Sequence, residues 1–163
     1  MSFDLFLERF KAGESAQVDR TKVLPLLRER CDLPGGKYGI YHLFFPDGCS
    51  VEIVAKGLET NDFFTGCAFH IRSFSAYLFA FIFDMAEAGD MVIFNAQGRD
   101  TESNPLAILV SDLQLKELPI GAVSHPVLCT SAEHLASLLE VDFAEWSDFR
   151  DRVVGSSNPL AGS

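Results

Sequence analysis

The sequence predicts an α+β fold built on an antiparallel sheet. Two runs of alternating apolar residues, 38–45 and 49–55, flank a Pro-Asp-Gly turn at 46–48, which is typical of a β-hairpin. A third alternating run ends at Ile71, and an almost wholly apolar run follows it at 74–83. The long apolar run indicates a helix that is buried against the sheet. We therefore expect about four to six strands with a central Phe-rich helix on one face, plus N-terminal and C-terminal helices.

The first element in chain order is predicted to be an amphipathic helix. Phe3, Phe6, Leu7 and Phe10 recur at the i, i+3, i+4 and i+7 spacing of one helical face. Gly13 is expected to end this helix, since glycine is a poor helix former.

A second helix is predicted to extend to about Arg30, capped by Asp19 or Thr21. Pro25 fits most easily if Thr21 is the cap, because proline is tolerated in the first turn of a helix. The side chains expected to face the core are Val23, Leu24, Leu27 and Cys31.

The hairpin and a third strand at 64–71 predict a three-stranded antiparallel meander. Ser73 or Ser75 begins the Phe-rich helix, and Gly89 is predicted to follow it in the left-handed conformation. Residues 90–94 are apolar on both faces, which favours a strand that is central or covered.

Residues 95–105 form a long polar stretch, which predicts a mobile surface loop. A strand at 106–110 and a short helical turn ending at Leu118-Pro119 come next. A last short strand is predicted at 127–129.

The C-terminal part is predicted as two helices, about 131–140 and 143–154. Each begins with the spacing of a capping box, Thr130 with Glu133 and Asp142 with Glu145. The residues predicted to face inward are Leu135, Leu138, Leu139, Trp146, Phe149 and Val153. We expect residues 1–155 to form a single α+β domain, followed by a flexible tail at 156–163.

The Phe-rich helix also raises a question about assembly. One stripe at helical spacing contains Phe74, Leu78 and Phe81, whereas Phe79 and Phe83 lie off that stripe. A helix that is apolar on several sides is buried on several sides. We expect cover within the chain, and exposed Phe79 and Phe83 would instead indicate a homodimer.

Composition and processing signals indicate an ordinary globular protein. The length of 163 residues suits one domain with its own core, and 48% of the residues are hydrophobic. The N-terminus has no secretion-signal pattern, so we expect a cytoplasmic protein. The four cysteines have no C-x-x-C spacing and are predicted to be reduced, buried thiols: Cys31, Cys49, Cys67 and Cys129. The sequence predicts no metal site and no cofactor.

The net charge of −10 is unevenly distributed. Residues 1–83 hold ten acids and nine bases, whereas residues 84–163 hold thirteen acids and four bases. An acidic C-terminal half disfavours nucleic acid and anionic membranes as partners, because both would repel it. A basic protein partner is compatible with this charge, as is a purely solubilising role.

A Cys67-x-x-His70 pair invites comparison with catalytic dyads and metal sites. In a strand, however, residues three apart point to opposite faces. Cys67 is therefore expected to face the core, whereas His70 faces the other side with Arg72.

The opposite sheet face is the candidate binding site. Glu52 alternates with the apolar residues on either side of it and is therefore expected to face away from the core. His42, His70 and Arg72 are expected to join it in a polar patch. Such a patch can hold an anion or titrate near neutrality. The alternative is the solvated side of an antiparallel sheet, which carries polar residues for solubility.

A second candidate surface is acidic. Glu145, Asp148 and Asp151 fall within seven residues of the last predicted helix and form a docking face for a basic partner. The alternative is a solvated helix flank whose acids favour the start of the helix.

The opening residues resemble those of a group of small, uncharacterised bacterial proteins. These proteins begin with M-S-F-D-x-F/Y-L-x-x-F-x-x-G-E-x-A, and residues 1–16 here match that stretch. The resemblance implies a related fold and a bacterial source. The group has no agreed activity, so no catalytic residue is assigned from it.

No sequence pattern typical of the common hydrolases, phosphate-binding loops or metalloproteases is present. The first hypothesis is a non-enzymatic protein-binding domain of an inhibitor or immunity type. The second is a small-molecule-binding domain or minor enzyme that uses the His70/Arg72 face. The third is a structural homo-oligomer.

Overall fold

A computed structural model describes residues 2–31, 34–35, 38–60 and 63–157. In chain order the elements are β1 (Phe3–Glu8), β2 (Phe10–Lys11), β3 (Glu14–Ser15), α1 (Arg20–Arg28), β4 (Ile40–Phe44), β5 (Ser50–Val54), β6 (Gly66–Ile71), α2 (Ala76–Gly89), β7 (Val92–Asn95), β8 (Ala107–Leu109), a 3₁₀ helix (Asp112–Glu117), β9 (Val127–Leu128) and α3 (Ala132–Ser157).

The main sheet has seven strands in the order β4-β5-β6-β1-β7-β8-β9, and β2 and β3 form a separate hairpin. All neighbours in the main sheet are antiparallel except β8 and β9, which are parallel. The predicted α+β class is confirmed. The predicted strand number of four to six is too low, partly because the N-terminal segment is a strand.

The predicted N-terminal helix is wrong, since residues 3–8 form β1 between β6 and β7. Phe3, Leu5 and Leu7 are fully buried, whereas Phe6 is 41% exposed. The six residues of β1 therefore alternate between the two faces of the sheet, as in any strand. The phenylalanines among them also fit a helical spacing, which led to the wrong prediction. Pairing on both sides and complete burial of one face stabilise the strand over an isolated short helix.

α1 is confirmed, with Asp19 as its cap. The Asp19 carboxylate accepts from the backbone N–H of Thr21, so Thr21 is not the cap and Pro25 lies inside the helix. Val23 and Leu27 are buried, as predicted.

The hairpin and the meander are confirmed, and Gly48 at the turn has a φ of 86° that favours glycine. Ser75 caps α2 by accepting from the N–H of Leu78. The predicted left-handed Gly89 is wrong, because Asp90 has that conformation. Gly89 instead allows close packing, since a Cβ there would lie 2.7 Å from Met91.

The two predicted C-terminal helices are one continuous helix, α3. Ser131, rather than Thr130, accepts from the N–H of His134 at its start. Asp142 does not cap a second helix because its carboxylate is buried and bonded to Asn95 and Asn104. Leu135 and Leu139 are buried as predicted and Leu138 is half-buried, but Val153 is 41% exposed. The side chains of Trp146 and Phe149 lie outside the described residues.

One face of the sheet and the three helices share a single core. Phe74 connects them: its ring stacks on Phe143 of α3, with centroids 3.7 Å apart, and meets Phe79 edge-on at 4.6 Å. Phe79 is therefore covered within the chain, at 5% exposed, and Phe83 packs against the same core. The cover of Phe79 within the chain is as expected, and Phe83 is half-buried.

The other face of the sheet is covered over only part of its width. Val92, Ala107 and Leu109 of β7 and β8 are buried there beneath Phe10 and Leu118. No comparable apolar cluster covers β4, β5, β6 and β1 on this face in the described part of the chain. We call this uncovered part the open face.

The polar loop at 95–105 lies on the surface between its two buried ends, Asn95 and Pro105, and it is fastened to the rest of the chain. The Asp100 carboxylate accepts from the N–H groups of Ser124 and His125 at 2.8 and 2.9 Å. These bonds hold the pKa of Asp100 below its usual range. In the predicted tail, residues 156 and 157 belong to α3, and residues 158–163 lie outside the described part.

Candidate functional site

A row of four polar side chains crosses the open face. The strand register places His42 opposite Glu52, Glu52 opposite His70 and His70 opposite Asp4, from β4 to β1. These four residues are called the polar row. It alternates groups that donate hydrogen bonds with carboxylates that accept them.

Two contacts fix the spacing within the polar row. His70 Nδ1 lies 2.9 Å from Asp4 Oδ1, and His42 Nδ1 lies 3.9 Å from Glu52 Oε2. The first distance is that of a hydrogen bond, whereas the second is a looser contact between two exposed side chains. The β1 end of the row is therefore ordered by internal contacts, and the β4 end is available to a ligand.

On one side of the polar row lies a surface groove of about 450 Å³. Its lining includes Phe44, Ser50 and Arg72, together with members of the polar row. The Arg72 guanidinium forms no ion pair with another described residue. The groove thus offers a positive charge beside two imidazoles and one carboxylate.

On the other side of the polar row, about 7 Å along the strands, lies a row of apolar side chains. The register brings Ile40, Val54, Ala68 and Phe6 into line from β4 to β1. These four residues are called the apolar row. Ile40 and Phe6 are each 41% exposed.

β4 is an edge strand whose outer backbone groups are open at His42 and Phe44 among the described residues, whereas the outer N–H of Ile40 donates to the Gly35 carbonyl at 3.1 Å. Phe45 N–H donates to Cys49, and Gly39 accepts from Ala55, so the odd-numbered residues of this segment bond β5. Bonding positions alternate in an antiparallel pair, and the N–H and C=O groups of His42 and Phe44 therefore point away from the sheet. Within the described residues, neither has a backbone partner on that side.

No protein-family model, curated protein or solved structure matches this chain significantly.

The structure brings His42, Glu52, His70 and Arg72 onto one face, around one groove. Sequence reasoning missed Asp4 and Ser2, because a helix at the N-terminus places neither side chain on the sheet. The alternation of Phe3, Leu5 and Leu7 was the available signal, since it places Asp4 on the polar side of a strand.

Cys67 and His70 do not form a dyad. Cys67 is buried on the helix side of β6, whereas His70 lies on the open face. Burial, together with the nearby charge of Glu8, raises the pKa of the Cys67 thiol to about 12. A thiol in this state is a poor nucleophile at neutral pH.

Ser2, Asp4 and His70 contain the residue types of a hydrolase triad, but their connections differ from one. The Ser2 hydroxyl donates to Asp4 Oδ1 at 2.6 Å, and His70 Nδ1 contacts the same oxygen. A nucleophilic serine instead donates to a histidine that acts as its base. The arrangement here orients His70 and does not activate Ser2.

The predicted acidic face is only partly described. Asp148 and Asp151 are exposed on α3, but the Glu145 side chain lies outside the described residues. The Asp151 carboxylate accepts two hydrogen bonds from Arg150 at 3.0 and 3.1 Å. This pair neutralises part of the negative charge that a basic partner would need.

A second groove, about 310 Å³, lies beside the β2–β3 hairpin. Its charged side chains contact each other: Arg9 lies 3.5 Å from Asp90, and Lys11 lies 3.7 Å from Glu117. A ligand would have to compete with these contacts, so the groove on the open face is the stronger candidate.

Two general findings limit the chemistry of the described residues. They contain no group of three or more histidine, cysteine or acidic side chains placed to hold a metal ion. None of the helices in this part of the chain has the length and apolar content that crossing a bilayer requires.

Proposed function

We propose that this protein is a protein-binding domain that takes up an extended segment of another protein along the edge of β4. The observation that carries the proposal is the open backbone of β4 at His42 and Phe44. Strand addition of this kind is a recurrent mode of peptide recognition, in which backbone hydrogen bonds supply affinity and side chains supply specificity.

The side chains of β4 support the same conclusion. Phe44 is 74% exposed and Ile40 is 41% exposed, on the same face as the polar row. An exposed apolar edge strand is an aggregation hazard that proteins normally cover or charge. An added strand that pairs with His42 and Phe44 places a cross-strand side chain against Phe44.

A segment of a different protein fits this edge better than a second copy of the chain. If two copies of the chain paired through their β4 strands about a two-fold axis, each residue of β4 would face another residue of β4 or of the segments beside it. β4 contains His42 and no acidic residue, so self-pairing would not continue the alternation of the polar row. Each copy also carries a net charge of −10, which opposes association.

The experiment is an NMR titration with the neutral peptide Thr-Val-Thr-Gln-Thr-Val-Thr up to millimolar concentration. We expect the amide signals of His42 and Phe44 to move and to gain protection from hydrogen exchange. Tyr41 and Leu43, whose amides already bond β5, are expected to change less.

Two variants at one position separate backbone pairing from side-chain contact. His42→Pro removes one outer N–H and leaves the bonds to β5 intact, since proline is tolerated at edge positions of this kind. His42→Ala keeps the N–H and is the matched control. We expect His42→Pro to abolish the shifts and His42→Ala to retain them. Equal binding by both variants, or a β4-mediated dimer of the free protein in light scattering, would overturn the proposal.

A second candidate function is the binding of a small anionic ligand in the open-face groove. The observation that favours it is Arg72, which forms no ion pair with another described residue and stands beside Ser50 and two histidines. A thermal-shift assay with phosphate and citrate tests it, because a ligand that binds only the folded state raises the melting temperature. A rise in the wild type that Arg72→Ala removes is the expected result, and no rise contradicts this candidate. The basic partner expected from the net charge stays a prediction.

A further inference from the structure

The polar row has a specific order that the edge of β4 leaves incomplete. From β1 outward its members are Asp4, His70, Glu52 and His42, so that each carboxylate has a histidine as its neighbour. His42 ends the row and is paired on one side only, at 3.9 Å from Glu52.

We infer that the bound segment carries an acidic residue opposite His42, with an apolar residue two positions from it on the Phe44 side. This inference rests on the proposed strand addition at β4, because only an added strand places a side chain at this point. The partner is thus an extended segment in which an acidic residue and an apolar residue are two positions apart.

The acidic position follows from the neighbours of His42. A protonated imidazole donates through both ring nitrogens, so one ring can meet a carboxylate on each side, and an opposite charge directly across an antiparallel pair is favourable. Glu52 lies opposite His42 on the inner side of β4. On the outer side, an acidic residue of the bound segment would face His42 and would not lie directly opposite another acid. An acid here gives His42 a carboxylate on each side, as Glu52 and Asp4 already give His70.

The apolar position follows from Phe44, which lies two positions from His42 on β4. Side chains two apart along a strand share a face, so the partner's side chain two positions from the acid lies beside Phe44 on the open face. Phe44 is 74% exposed, whereas the outer N–H of Ile40 already donates to Gly35. An apolar cross-strand partner stabilises such a position through contact and burial.

The test compares three peptides that differ at one residue. Thr-Val-Thr-Glu-Thr-Val-Thr has the inferred pattern in either chain direction, and its matched controls carry Gln or Lys in place of Glu. Affinities are measured by NMR titration at pH 5.5 in moderate salt, where histidine side chains are ordinarily protonated and glutamate side chains ionised. We expect the Glu peptide to bind about 3- to 10-fold more tightly than the Lys peptide, with the Gln peptide between them.

Exchange of the charge on the protein provides the reverse test. His42 is exposed, so substitutions there are expected to leave the fold intact. His42→Lys should increase the preference for the Glu peptide, and His42→Glu should reverse it in favour of the Lys peptide. Arg72→Ala removes a positive charge from the same groove, two strands away from His42, and should alter the preference less than His42→Glu does.

The outcomes distinguish this inference from the proposed function. If all three peptides bind equally and His42→Pro abolishes all binding, strand addition stands and the acidic preference is overturned. If none of the peptides shifts the His42 and Phe44 signals at millimolar concentration, both are overturned. If the Glu peptide binds best but shifts residues around Arg72 and not β4, the groove takes the carboxylate and the inference fails.

Discussion

The carboxylate of Asp142, within α3, accepts a 2.7 Å hydrogen bond from the side-chain amide of Asn95 at the end of β7. Both residues are buried. Asn104, from the long polar loop, donates to the second carboxylate oxygen at 2.8 Å. This buried contact joins the helix, the sheet and the loop.

Asp142→Ala is expected to lower the free energy of unfolding by about 2 to 4 kcal/mol, because it leaves the buried amide of Asn95 and the half-buried amide of Asn104 without their acceptor. Urea denaturation measures the loss. Asp148→Ala, an exposed acid on the same helix, is the control and should change stability by less than about 0.5 kcal/mol. Similar losses for the two variants would contradict a structural role for the buried carboxylate.

Glu59→Gln is expected to destabilise the protein by about 1 to 3 kcal/mol. The Glu59 carboxylate pairs with Arg28 and accepts from the Tyr41 hydroxyl at 2.6 Å and the Gly35 N–H at 2.7 Å. Burial alone would raise the pKa of Glu59, but these donors and the Arg28 charge together lower it.

The pH dependence of Glu59 has a definite sign. A carboxyl whose pKa is lowered by folding contributes stability above its unfolded pKa of about 4.5, and that contribution is lost as the pH falls through the folded pKa. Unfolding curves between neutral and acidic pH should therefore show a steeper acid loss for the wild type than for Glu59→Gln. Parallel curves would mean that the network does not stabilise the ionised form.

Cys67 is expected to weaken the protein at alkaline pH. Because burial raises the pKa of its thiol to about 12, stability is complete below the unfolded pKa of about 9 and is lost as the pH rises towards 12. The loss should be about 1.4 kcal/mol for each pH unit in this window. Cys67→Ala removes the titrating group, and equal alkaline slopes for the two proteins would contradict the assignment.

Ala12→Gly is expected to stabilise the protein by about 0.5 to 1 kcal/mol. Ala12 has a φ of 52° in the turn between β2 and β3, a conformation that glycine adopts without the cost of a Cβ. Ala80→Gly, at an exposed position inside α2, is the opposite control and should destabilise by a similar amount. Melting temperatures that move in the same direction for both variants would contradict this expectation.

The sequence predicted the middle of the fold well and its two ends poorly. A periodic pattern bounded by turn or cap residues marks the hairpin, the meander, α2 and β7. In these elements the local pattern is sufficient to predict the structure. At the N-terminus Phe3, Phe6, Leu7 and Phe10 satisfy a helical spacing, while Phe3, Leu5 and Leu7 satisfy a strand spacing. Pairing partners distant in the chain decide between the two, and no local pattern contains them.

The same limit applies to the candidate site. The alternation of apolar and polar residues along β4, β5 and β6 is enough to place His42, Glu52 and His70 on one face. Asp4 could not join them without the correct structure of β1. Likewise, Asp142 and Glu145 have the spacing of a capping box. Only the position of Asn95 in the fold explains why the Asp142 carboxylate accepts from Asn95 and does not cap a helix.

The position of β1 also determines when the protein can fold. Phe3 pairs with Ile71, and Leu5 pairs with Asn95, so the strand at the centre of the sheet is synthesised long before the strands on either side of it. Until residue 95 has left the ribosome, Phe3, Leu5 and Leu7 have no complete partner surface. Contacts so distant in sequence slow folding. The nascent chain must therefore keep its most apolar opening segment from aggregating while more than half of the protein is being made.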